Sequence, residues 1–308
     1  VTWVLRVAGV LLLACAPAYA PPDGPGSAAS RPALGDALQA ERLALLAAIN
    51  ADRQAAGARP LAIDTLATMV AQEHAEAMAS GGFVSHYGVG GDAPYERYAA
   101  AGGTAHVVEN VLGQRVGGTL PGSGRAAHFD AGVVHGFLMS SPGHRASILD
   151  PHRTHVGLGI AYGSDGRSLL VTEEFLARHA EIVAPRLAWR GSPTLVEGRI
   201  ARPGVRPLLL VLHREPSIRP WVARAEPPPP GPYSDGAEGE GLLVPPWAIV
   251  WRRDGGFEAS LPLAHQAAGR YYAVLYVAPS DVVDRALARR RVSSELGWPG
   301  AAFVIEVL

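Results

Sequence analysis

Phe137-Leu138-Met139-Ser140-Ser141-Pro142-Gly143-His144-Arg145 is the stretch on which the fold turns. An apolar helical run ends at Ser140, Ser141-Pro142-Gly143 breaks it, and a brief helix is predicted from His144 to Leu149. Upstream, the broken helix reaches back to about Ala126, behind a glycine-rich loop over 113–124. Downstream, His155 to Tyr162 and Ser168 to Leu176 read as a hairpin turning at Gly163-Ser164-Asp165-Gly166. Val107 to Leu112 looks extended. Three earlier helices are predicted. One opens at Asp36, carries Leu38, Leu45, Leu46 and Ile49 on one stripe, and closes at Gly57. The next starts near Asp64 and stops at Gly81-Gly82, and the third runs from Asp92-Pro94 to Gly102-Gly103. Helices flanking a strand and a hairpin predict an α/β fold, an αβα sandwich with helices covering the sheet.

Beyond about Glu181 the texture changes. Short β-rich runs alternate with Pro/Gly turns at Pro185–Trp189, Thr194–Ile200, Pro207–Leu212, Trp247–Trp251, Gly256–Leu261, Tyr271–Val277 and Ala302–Val307. That spacing predicts a mostly β C-terminal domain, a β-sandwich, over 181–308. Glu226 to Gly241, with four consecutive prolines, reads as a long exposed loop. Asp281 to Arg291 reads as one helix whose terminal arginines suit the helix dipole.

The chain has 308 residues, 48% hydrophobic and 18% charged, with a formal net charge of -1. That balance supports real cores and gives no overall field to attract nucleic acid. All 27 basic residues are arginine, which excludes lysine Schiff-base chemistry and a P-loop. With Cys15 as its single cysteine, the chain forms no intrachain disulfide and no cysteine-based zinc site. Residues 1–20 read as a signal peptide: Arg6 precedes a short apolar run from Val7 to Ala14, too short to span a bilayer. Two processing sites compete. Ala18-Tyr19-Ala20 has the small-x-small pattern, and Leu12-Leu13-Ala14-Cys15 resembles a lipobox in which Cys15 would be lipidated. Residues 21–35, rich in Pro, Gly, Ser and Ala, read as a flexible tether. The expected location is therefore the cell envelope or outside the cell, with membrane contact only through a lipid anchor.

Five segments occur in order across residues 43–176: Asn50-x-x-Arg53 with Gly57, Pro60 and Leu61; Phe83-Val84-Ser85-His86; Glu109-Asn110; Phe137 to Arg145; and Val156-Gly157-Leu158-Gly159. Together they resemble the CAP superfamily of cysteine-rich secretory, antigen 5 and pathogenesis-related proteins, in a bacterial cysteine-free form. The resemblance implies an αβα sandwich over 36–180 with a cleft lined by two histidines and two acidic residues. His86, Glu109 and His144 fall on three of those positions; the fourth, acidic in the family, is His135 here. Three imidazoles and one carboxylate form a reasonable set for zinc or another divalent metal. His74, His106, His128, His152 and His155 carry no motif and are read as ordinary polar residues.

Three functions follow as expectations. The chain is a binding module for a lipid, small-molecule or envelope ligand; or a metal-dependent hydrolase with Glu109 as base; or a structural module acting through its β-sandwich. The hydrolase reading lacks H-E-x-x-H and G-x-S-x-G, and Ser85 beside His86 on extended backbone should point to the opposite face.

Overall fold

The computed structural model describes residues 38–115, 129–164, 167–200, 202–230 and 241–308. The expected signal peptide, Cys15 and the tether lie outside these residues, as does most of the glycine-rich loop.

In the N-terminal half, α1 (Gln39–Ala55), α2 (Thr65–Gly81) and α3 (Pro94–Ala100) precede α4 (Ala131–Ser140) and α5 (Pro142–Leu149). The strands are β1 (Ala62–Ile63), β2 (His106–Arg115), β3 (His155–Tyr162) and β4 (Ser168–Ala177), in the order β1-β3-β4-β2. β1 pairs parallel to β3, and the other pairs are antiparallel. Local chemistry sets the helix ends. Asp64 Oδ1 accepts from Ala67 N at 2.8 Å to start α2, and Gly82 closes it at φ 66°. Asp130 caps α4, so that helix begins five residues later than its apolar pattern suggests. The Ser141-Pro142-Gly143 break is narrower than expected, because Pro142 occupies the first turn of α5, where its missing N–H costs nothing.

The alternation in β3 explains the Val156-Gly157-Leu158-Gly159 motif. Val156, Leu158 and Ile160 pack with Leu45, Ile49, Val134 and Ile148 from α1, α4 and α5. Gly157 and Gly159 face α2, where a Cβ would lie 2.2 Å from Ala67 C and 2.1 Å from Ala71 O. The sheet is thus covered on both faces, as an αβα sandwich requires. The Asn50-x-x-Arg53 motif is a tie between elements. Asn50 pairs with both backbone groups of Leu61, while the fully buried Arg53 donates to the carbonyls of Arg59, Ile148, Asp150 and Arg153.

The C-terminal half comprises β5 (Ala180–Val183), β6 (Leu187–Ala188), β7 (Thr194–Ile200), β8 (Val205–Arg214), α6 (Pro220–Ala223), β9 (Leu242–Val244), β10 (Ile249–Trp251), β11 (Gly256–Leu261), β12 (Gly269–Pro279), α7 (Ser280–Arg289) and β13 (Trp298–Val307). Two sheets form, β10-β11-β7-β5 and β6-β13-β12-β8-β9. Val196, Phe257 and Leu261 of the first pack against Leu210, Leu275 and Phe303 of the second. This is a β-sandwich. The proline run enters the fold rather than lying wholly exposed: Pro228 is buried, and Ser85 Oγ donates to Pro229 O at 2.6 Å.

The halves share apolar surface. Tyr272, Val274 and Ala302, on the outer face of the larger sheet, cluster with Tyr87, Ala93 and Tyr95. The Tyr95 and Tyr272 rings stack with centroids 4.0 Å apart. Arg219 donates to Gly91 O and lies 4.5 Å from the Tyr87 ring centroid, and Trp221 packs on the same ring. The segment around α6 therefore holds the loop over 85–92 from behind, and that loop carries His86.

Candidate functional site

The site is built on β2, the edge strand of the first sheet. Alternation sends Glu109 toward α2 and α3 and Asn110 toward α5. Opposite them on β4 stand Glu174 and Glu173. All four are buried, and both β4 carboxyls are fully so. Two carboxylates facing each other on one sheet face repel unless a cation or a proton intervenes. Both intervene here. Arg97, from α3, donates to Glu109 Oε2 at 2.5 Å and lies 3.7 Å from Glu174 Oε1. Burial pushes both carboxyl pKa values up. Arg97 opposes that rise more effectively at Glu109, so Glu174 holds the proton.

His86 Nδ1 donates to Glu109 Oε1 at 2.8 Å. Burial, and then the nearby Arg97 charge, lower the His86 pKa to about 4. The imidazole is therefore neutral at neutral pH, with its proton on Nδ1 toward Glu109. Arg97 fixes the same loop by donating to His86 O at 2.8 Å and Asp92 O at 3.0 Å. His144 lies at the start of α5, on the other side of the β2 edge, where Asn110 Nδ2 donates to its carbonyl at 3.2 Å. Burial, and then the electrostatic influence of His86, lower its pKa.

His135 has a partner of its own. Its Nε2 lies 2.9 Å from Asp52 Oδ2 on α1. Among the described residues, no three His, Cys, Asp or Glu side chains come together to hold a metal ion. His86 and His144 remain as nitrogen donors, with Glu109 occupied behind His86. Ser85 also points away from a hydrolytic role, since its Oγ proton is directed to Pro229 O.

Four residues of the site carried no motif. Arg97 neutralises Glu109. Glu174 shares that charge, and Glu173 accepts from Asn110 at 3.1 Å with its pKa raised to about 7 by burial. His74 supports the loop, its Nε2 lying 2.8 Å from Ser85 O, and burial lowers its pKa to about 3. Two acids inside the apolar run from Leu169 to Leu176 were the available signal, because a central strand covered on both faces rarely buries charge without purpose.

The order of motifs, the two-sided sheet and this edge-strand site agree with one further observation: residues 46–175 match the cysteine-rich secretory protein (CAP) family. This part of the chain is a CAP domain. Among solved structures, the chain is similar to an outer surface protein from Borrelia burgdorferi, at 15% identity over 46% of this chain and 96% of that one, with a TM-score of 0.38. It is also similar to an extracellular protein containing an SCP domain from Bacillus anthracis, at 21% identity over 44% of this chain and 39% of that one, with a TM-score of 0.35. No curated protein matches the chain significantly.

Proposed function

We propose that the chain is an exported envelope protein whose CAP groove binds rather than catalyses, with His86 and His144 as its metal-binding nitrogens and Glu109 as the residue that orients His86. The observation that carries this reading is the 2.8 Å bond from His86 Nδ1 to Glu109 Oε1. It fixes the tautomer, directs ligation to Nε2 and raises the basicity of the ring, as carboxylates behind metal-bound histidines do. Burial keeps both imidazoles neutral, the form a metal requires. Zinc or another borderline divalent ion suits such donors and would supply a Lewis-acidic anchor for an oxygen of a small-molecule, lipid or envelope ligand. The hydrolase reading has less support: the Glu109 side chain is fully shielded from solvent behind His86 and Arg97, where a water to be deprotonated does not reach it.

Calorimetry with zinc tests the proposal. The full chain should bind one ion, His144→Ala should weaken binding by about tenfold or more, and His135→Ala should leave it unchanged. Absence of heat with wild type, or equal binding by the His86→Ala/His144→Ala double variant, refutes it.

Export rests on the leader-like residues 1–20, and anchoring on Cys15. Radiolabelled palmitate fed to an expressing bacterium should label the wild type and not Cys15→Ser. Equal labelling of both, or none, would remove the anchor from the account.

A further inference from the structure

The halves meet a second time at Trp298, the first residue of β13. Its indole stacks on the His152 ring, with centroids 4.4 Å apart and planes inclined by 13°. His179 meets the same indole edge-on at 6.1 Å, and His179 Nε2 lies 2.7 Å from His152 O. The Arg202 guanidinium lies 5.9 Å from the Trp298 centroid. His152 belongs to the CAP half, on the turn between α5 and β3, whereas Arg202 and Trp298 come from the β-sandwich. Arg59 is brought to the same place by Arg53. That buried side chain donates to Arg59 O and to the carbonyls of Asp150 and Arg153, which ties the Arg59 loop to the His152 turn.

Charge at this seam is one-sided. The main charged side chains acting on His152 and His179 are Arg59, Arg153 and Arg202, with Asp150 as the acid among them. Asp150 is already engaged, its Oδ2 lying 2.8 Å from Arg153 Nε. Arg53 adds another guanidinium, hydrogen-bonded to carbonyls. Arg59 and Arg202 are exposed, and neither forms an ion pair among the described residues. Guanidiniums gathered without matching carboxylates create a positive potential that concentrates anions. Their planar forks fit phosphate oxygens two at a time. A cationic ligand is repelled here, and a neutral one leaves the potential unmatched.

We propose that Arg59 and Arg202 clasp a phosphate-bearing anion across this seam, beside the Trp298–His152 stack. Each half supplies one fork, so the bound anion ties the halves together. The site shares no residue with the CAP groove and needs no metal.

Inorganic pyrophosphate is the probe, titrated calorimetrically into the full chain, freed of metal by prior dialysis and held at constant ionic strength. One anion should bind per chain and raise the melting temperature, as any ligand of the folded state does. Arg59→Ser and Arg202→Ser should each weaken binding about tenfold, the scale of one charge-assisted hydrogen bond. Arg289→Ser, an exposed arginine on α7, should leave it unchanged. Unchanged melting temperatures without the anion would show that the variants remain folded. Phosphatidic acid and phosphatidylcholine vesicles separate the sources. Retention on the first alone, lost in the same variants, would place the phosphate on a lipid headgroup, and pyrophosphate binding without retention would place it on a soluble ligand. No heat up to ~10 mM pyrophosphate, a concentration that would reveal even weak specific binding, together with no vesicle retention, would overturn the proposal. So would equal binding by the Arg59→Ser/Arg202→Ser double variant, or an equal loss in Arg289→Ser.

Discussion

Gly159→Ala should destabilise the chain by about 3 kcal/mol or more, and Gly157→Ala by a similar amount, because each forces backbone rather than a side chain to move. The added methyl at 159 would sit 2.1 Å from Ala71 O and 2.3 Å from Ala71 C. At 157 it would sit 2.2 Å from Ala67 C and 2.5 Å from Thr68 N. No rotamer relieves such contacts, so α2 must lift from the sheet. That movement would strain further ties: Gln72 Nε2 donates to Ile160 O and Gln72 Oε1 accepts from Ile160 N. A domain stable by roughly 5–15 kcal/mol would not survive both substitutions. Gly136→Ala on α4 is the control. Its Cβ would meet nothing within 4 Å, and removing a helical glycine should stabilise by about 0.5–1 kcal/mol. Denaturant unfolding checks all three, and a loss below ~1 kcal/mol at 159 would contradict the close helix–sheet packing.

Arg97→Met should cost about 3–5 kcal/mol at neutral pH, the usual penalty for leaving a buried charge without its partner. The substitution keeps apolar bulk but removes the group that holds Glu109 ionised beside Glu174. The pH dependence identifies the cause. Without Arg97, the folded-state pKa of Glu109 rises further above its unfolded value of about 4.5. A raised folded pKa gives stability that is present at low pH and lost as pH rises, so the deficit should shrink at pH 5 and widen at pH 8. Equal deficits at both values would assign the effect to packing alone.

Much of this architecture was legible because it is written in local chemistry. Asp64 and Gly82 bracket α2, Pro94 opens α3, and the runs Thr194–Ile200 and Gly256–Leu261 coincide with β7 and β11. The site was half legible. His86, Glu109 and His144 sit in motifs, whereas Arg97 and Glu174 matter only through pairing across 77 residues of chain. Pairing at that distance leaves no periodic signature. The Asp52 partner of His135 was not legible either, because its position in the motif fixes only its helix and not what α1 sets beside it. The shared tyrosine cluster was also invisible in sequence, since alternation in β12 shows two apolar faces without showing what covers the outer one.

The central claim is that burial, and then the Arg97 charge, hold His86 as a neutral imidazole that Glu109 orients. An NMR titration of its ring resonances tests this most directly. The account expects a folded-state pKa of about 4, well below the ordinary 6.5. A depressed histidine pKa means the unfolded chain takes up the proton first, so His86 should weaken stability as pH falls from 6.5 toward 4. His86→Ala should remove that share of the slope. A ring that titrates near 6.5, with stability indifferent to the substitution across that window, would contradict the site as described.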